Sequence, residues 1–156
     1  MKLGSISTPG FYKVLFPALL VLVLSLGATT GSGQAPSQGI VRPFAGAKFA
    51  PGDDIKCLSE VLENGDPATG PSTFLLKASP KCVVPAHFHT AEEQLIVVSG
   101  EVSTGMDGMS DTSLGPGGFA MMPGNKPHWF SCVSKTDCLI FVTFDQKYDI
   151  TWVKRK

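Results

Sequence analysis

All three histidines of this chain lie in two stretches, AHFHTAEEQ and GNKPHWF. His87 and His89 are separated by one residue. Side chains two apart on a strand leave it on the same face, so one strand would bring two imidazoles to one point. Glu93 opens the next apolar run, EQLIVVSG, where an inward carboxylate with no partner is costly. A cation at that point would offset the cost. His128 heads a later run and completes the set if the sheet curls back on itself. Three imidazoles and one carboxylate suit Fe, Mn, Co, Ni, Cu or Zn better than Ca or Mg, so one divalent transition metal ion per chain is expected. An ion that prefers six ligands keeps two positions for water or a small substrate, as catalytic metals do. Taken alone, His-x-His is a weak signal that fits a satisfied core pair or a chance surface pair better than a ligand pair. The glutamate and the third histidine turn it into a metal set.

The elements that must position these groups are short. STFLLKA (72–78), CVVPAHFH (82–89), EQLIVVS (93–99), FAMMP (119–123), HWFSCV (128–133) and CLIFVTF (138–144) are rich in Val, Ile, Phe and Thr and are separated by Gly, Pro, Asp or Ser. ITWV (150–153) reads as a last strand, and DIKCLSEVLE (54–63) as strand rather than helix. The 17 glycines and 12 prolines of the 156 residues suit many strands joined by turns. Regularly spaced short strands predict an all-β sandwich or barrel. On strand parity, Val83, Pro85, Leu95, Val97, Ala120, Met122 and Phe130 would share the face of the metal set and give a mostly apolar wall. Glu92 and Gln94 would face solvent, and Lys77 would be a sheet-surface charge.

The same residues resemble the cupin family. Its first motif, G-x5-H-x-H-x3-E-x6-G, is matched by His87, His89, Glu93 and Gly100. Its second, G-x5-P-x-G-x2-H-x3-N, is matched by Gly117, Pro123 and His128. Lys81 replaces the first motif's opening glycine, Asn125 the second motif's inner glycine, and Cys132 the final asparagine. The resemblance covers about residues 42–153. It implies a double-sheet jelly-roll β-barrel with the ion near one open end, and it supports a homodimer. It is compatible with a dioxygenase, with a Lewis-acid isomerase, lyase or decarboxylase, and with a non-catalytic module that holds a metal or small ligand.

Residues 14–28, VLFPALLVLVLSLGA, follow Lys2 and Lys13 and precede TTGSGQA. A positive start, a short apolar centre and a small-residue exit read as a secretory signal over 1–33, then a linker over 34–41 and the domain over 42–153. The mature chain is therefore expected in the periplasm or the medium. Without Lys2 and Lys13, 11 basic residues remain against 13 acidic ones, near −2. That charge, with Lys154, Arg155 and Lys156 as its only basic cluster, argues against a nucleic-acid partner. Export permits disulfides among Cys57, Cys82, Cys132 and Cys138. The five-residue spacer VSKTD favours Cys132 with Cys138, which leaves Cys57 with Cys82; buried free thiols are the alternative. With every histidine claimed, no Ser-His-Asp or Cys-His nucleophile can be assembled. The apolar wall and the lack of convergent Arg and Lys incline the reading slightly to dioxygenase chemistry on a small organic molecule. CVVPAHFH and EQLIVVSG are apolar on both parities, so one face is expected to meet a second copy.

Overall fold

The structure is a computed structural model and describes residues 38–155. The expected secretory signal lies outside the described residues. Eleven strands run through the described chain: β1 Ala50–Pro51, β2 Leu58–Gly65, β3 Ser72–Ala78, β4 Val83–Phe88, β5 Glu93–Ser99, β6 Val102–Met106, β7 Thr112–Leu114, β8 Phe119–Met122, β9 His128–Cys132, β10 Cys138–Phe144 and β11 Thr151–Trp152. Six form one sheet in the order β1-β2-β3-β10-β5-β8, and five form another in the order β11-β4-β9-β6-β7. Every adjacent pair is antiparallel.

Neither sheet closes, which corrects the expected barrel. Closure needs the two edge strands of a sheet to pair with each other. Here the edges are β1 and β8 in one sheet and β11 and β7 in the other, each two to four residues long. Pro51 in β1 has no N–H to donate, and Pro123 follows the last residue of β8. Short, proline-flanked edges stop a sheet rather than extend it. The architecture is therefore two open sheets packed face to face.

The core lies between them. Leu95 and Val97 of β5, Ile140 and Val142 of β10 and Phe74 of β3 meet Val84 of β4, Val102 of β6 and Phe130 of β9. Burial alternates along β5 and β10, as a strand with one face on a core requires. Each of the fully buried aliphatic side chains, such as Val97, Ile140 and Val142, contributes roughly 1.5–3 kcal/mol. Two disulfides, Cys57–Cys82 and Cys132–Cys138, stitch this core at its ends, as the spacing expected. Ile96, Val98, Phe119, Met121 and Phe141 are exposed on the outer face of the six-stranded sheet, with Ile96 paired to both Phe141 and Phe119.

Lys81 and Asn125, which stand at the two motif glycines, both have left-handed backbones, with φ of 66° and 62°. The turn geometry is kept although its preferred residue is not. The Lys81 amide donates to the Cys132 carbonyl and the Asn125 amide to the His89 carbonyl, so each turn is tied to a neighbouring strand. A side chain in this region costs roughly 1–2 kcal/mol, which exceeds the roughly 0.4–1 kcal/mol of chain entropy that a glycine adds to the unfolded state. Lys81→Gly, at an exposed position, is expected to raise Tm by about 2–4 °C. Calorimetry checks this, and an unchanged or lower Tm refutes it.

Candidate metal centre

The two sheets place the four expected ligands at one point. His87 is the penultimate residue of β4, and His89 lies just past its end. His128 opens β9 and is the cross-strand partner of His87. Glu93 opens β5 on the opposing sheet, so the carboxylate faces the imidazoles across the core. All four are buried, and their ligand atoms lie within 4.8 Å of one another. His128 Nε2 is 3.0 Å and His89 Nε2 is 3.1 Å from Glu93 Oε2.

Backbone carbonyls orient each ring. Nδ1 of His87 meets the Pro85 carbonyl at 2.7 Å and that of His128 meets the Lys126 carbonyl at 2.9 Å, while that of His89 meets the Asp149 carbonyl. A ring that donates from Nδ1 presents the lone pair of Nε2, the arrangement in which metal-binding histidines are held. The Nε2 lone pairs of His89 and His128 then point at a carboxylate oxygen, also a lone-pair carrier. Either the imidazoles carry a second proton there or a cation stands among these atoms. The donor set thus fits a metal on its own geometry: a three-histidine, one-carboxylate cluster consistent with one divalent metal ion per chain.

The electrostatics reflect the same crowding. Burial, followed by the neighbouring His128, pushes His87 down to about 4. Burial is also the largest single influence on Glu93 and on His128. In both it is outweighed by their mutual contact, with His89 adding to the effect on Glu93. The Glu93 carboxyl is held well below its usual range and His128 is raised.

His87, His89 and Glu93 open onto a cavity of about 290 Å³ between the sheets. Of the seven wall residues expected from parity, only Phe130 lines it. Leu95, Val97 and Met122 are buried in the core, and Ala120 packs against it. Val83 and Pro85 face outward, while Val84 and Ala86 are buried. The physical reason is an irregularity in the β4–β9 ladder between Val84 and His87, at Pro85, which cannot donate to the ladder. An extra residue there reverses the parity of everything before it, so the residues preceding the histidines exchange faces. Gln94 is exposed and donates to Glu92, as expected, and Lys77 lies over the Phe49 ring outside the cavity.

Sequence reasoning missed the other polar members of the wall. Tyr148, Glu60, Asp53 and Asp54 line the cavity beside the metal cluster. The Tyr148 ring packs 5.2 Å from that of His89 and 5.0 Å from that of Phe144. Burial, and then the charge of Glu60, raises the Tyr148 phenol; burial and Asp53 raise the Glu60 carboxyl. One signal was available. Tyr148, Ile150 and Trp152 alternate, and all three line the cavity. Asp149, between them, points the other way, and its carboxylate accepts from the Thr90 amide at 2.7 Å and from the Thr90 hydroxyl. That clasp fixes the segment whose carbonyl orients His89.

Two open sheets thus enclose a three-histidine, one-carboxylate cluster, the arrangement the cupin resemblance implies. Residues 74–144 match the cupin domain family Cupin_2, and the chain carries a cupin domain. No curated protein matches the chain. Among solved structures, an oxalate oxidase is 25% identical with a TM-score of 0.51, over 54% of this chain and 46% of that one. The chain thus spans less than half the length of that oxidase. The polyketide cyclase RemF from Streptomyces resistomycificus is 20% identical with a TM-score of 0.63, over 76% and 88% of the two chains. The DMSP lyase DddQ from Ruegeria pomeroyi is 18% identical with a TM-score of 0.57, over 72% and 59%. The last two likenesses show the fold.

Proposed function

We propose that this protein is an exported mononuclear metal enzyme that moves protons on a small organic molecule, as a lyase, isomerase or decarboxylase does. The observation that carries this reading is that Tyr148 lines the same cavity as His87, His89 and Glu93, with its ring 5.2 Å from that of His89. The slight preference for dioxygenase chemistry rested on an apolar wall and on the lack of convergent Arg and Lys; no Arg or Lys lines the cavity among the described residues, but Tyr148 and three further acids do. The ion, when bound, supplies a Lewis acid that polarises a substrate oxygen and makes the adjoining group easier to deprotonate. His87, His89, Glu93 and His128 would hold it. Tyr148 offers a phenolic proton beside His89. Phe74, Phe130 and Phe144 exclude water from the reacting end.

The neighbouring structures include both an oxidase and a lyase, so the fold hosts either chemistry and the choice rests on the cavity. Two disulfides in one small domain suit the oxidising compartment that the leader expects. The exposed outer face of Ile96, Val98, Phe119, Met121 and Phe141 supports a homodimer.

The test is Tyr148→Phe in metal-loaded protein, screened against small hydroxy- and keto-acids. Metal content should stay near one ion per chain while turnover falls by roughly a hundredfold or more, the usual worth of a positioned proton donor. Turnover that consumes dioxygen, or that is indifferent to Tyr148→Phe, overturns the reading.

A further inference from the structure

The charge of the cavity wall is one-sided. Asp53, Asp54 and Glu60 line it, and no lysine or arginine does among the described residues. None of the three acids makes a salt bridge among the described residues; the ion pairs there are Arg42–Glu63, Arg155–Asp111 and those of Glu93 with His89 and His128. Glu93, the remaining carboxylate of the wall, is thus already engaged by the imidazoles. The acids also stand apart from it. Glu60 is on β2 and Glu93 on β5, with β3 and β10 between them, and across these ladders Glu60 lies level with Val97, four residues along β5 from Glu93. The cavity therefore has a metal-binding end and an acidic end. Tyr148 and Trp152 are among the aromatic side chains of the wall.

We propose that the cavity selects a small zwitterion, with a carboxylate or similar oxygen group at the His/Glu cluster and an ammonium at the end walled by Asp53, Asp54 and Glu60. This rests on the reading of the cluster as a metal centre that faces substrate. A dianion would meet three uncompensated carboxylates and no counter-charge, so small dicarboxylates and phosphate esters are disfavoured. An ammonium gains the attraction of those carboxylates, of which Glu60 is half-buried and Asp53 and Asp54 are exposed, and an aromatic face adds to it. The raised carboxyl of Glu60 is in keeping with this, because burial and Asp53 both disfavour its charge and a neighbouring cation relieves both.

The experiment compares two probes of the same shape by calorimetric titration of the metal-loaded full-length mature protein: trimethylammonio-butanoate and its carbon isostere, dimethylhexanoate. The zwitterion is expected to bind about tenfold more tightly, and the preference should fall toward unity in Glu60→Gln and, independently, in the loop variant Asp53→Asn/Asp54→Asn. Binding of the isostere should be unchanged in both. Equal or tighter binding of the isostere by the wild type overturns the proposal, as does a preference that survives both variants. Failure of both probes to bind protein carrying one metal per chain also overturns it. The metal content, measured on the same samples, separates that result from failure of the metal reading itself.

Discussion

Mature protein carrying His87→Ala and His128→Ala together is expected to lose its metal, from near one ion per chain to background in elemental analysis. These two rings are cross-strand neighbours with centroids 4.3 Å apart, and they supply half of the donors. Groups that merely orient a ligand are worth about 10–100-fold in affinity, so removal of two ligands exceeds that. The double variant also strips Glu93 of one of its two imidazole partners inside the core, which lowers stability for a reason separate from metal loss. Glu93→Gln separates the two effects: it keeps the shape, removes the buried charge, and should still lose affinity by roughly a hundredfold or more. Metal uptake should release protons and weaken as pH falls, because His128, raised by its contact with Glu93, must give up its proton to bind. Stoichiometric metal in the double variant would place the ion elsewhere.

Cys57→Ala/Cys82→Ala should cost about 3 kcal/mol by urea denaturation, a large share of the roughly 5–15 kcal/mol that holds a domain together. The bond spans 25 residues, against six for Cys132–Cys138, so it removes more freedom from the unfolded chain. Its position adds a functional consequence. Cys57 lies between the loop that carries Asp53 and Asp54 and the start of β2, which carries Glu60; Cys82 precedes β4, which carries His87. The disulfide thus joins the acidic wall to the strand of the metal cluster, and its loss should loosen the cavity as well as the fold. Loss of the shorter bond, in Cys132→Ala/Cys138→Ala, should cost about 2 kcal/mol and leave the acidic wall in place. A stability loss below about 0.5 kcal/mol for the Cys57 pair would show that the core holds these elements without it.

Much of this molecule was legible in one dimension. The strands STFLLKA, EQLIVVS and CLIFVTF were bounded correctly because β-branched and aromatic runs between turn residues carry a local signal. The four candidate ligands, which the fold gathers within 4.8 Å of one another, stood out because histidine is scarce here and each one sits at or near a strand end. The cysteine pairing followed from a short spacer and from elimination. All of these are properties of composition and of near neighbours along the chain.

What only the tertiary structure decided has one physical origin, the contacts between residues far apart in sequence. Whether a sheet closes depends on whether its edge strands meet, and the short β1, β8, β7 and β11 do not. Whether Val83 or Val84 faces inward depends on a single ladder irregularity at Pro85, since a period of two reverses with one extra residue. The chemistry of the cavity depends on β2 and the segment around Tyr148 folding over a cluster formed by β4, β5 and β9. The sequence by itself singled out four candidate metal ligands; the packing of the two sheets decided that they meet and what surrounds them, because the wall of a cavity is made by whichever strands the fold brings opposite.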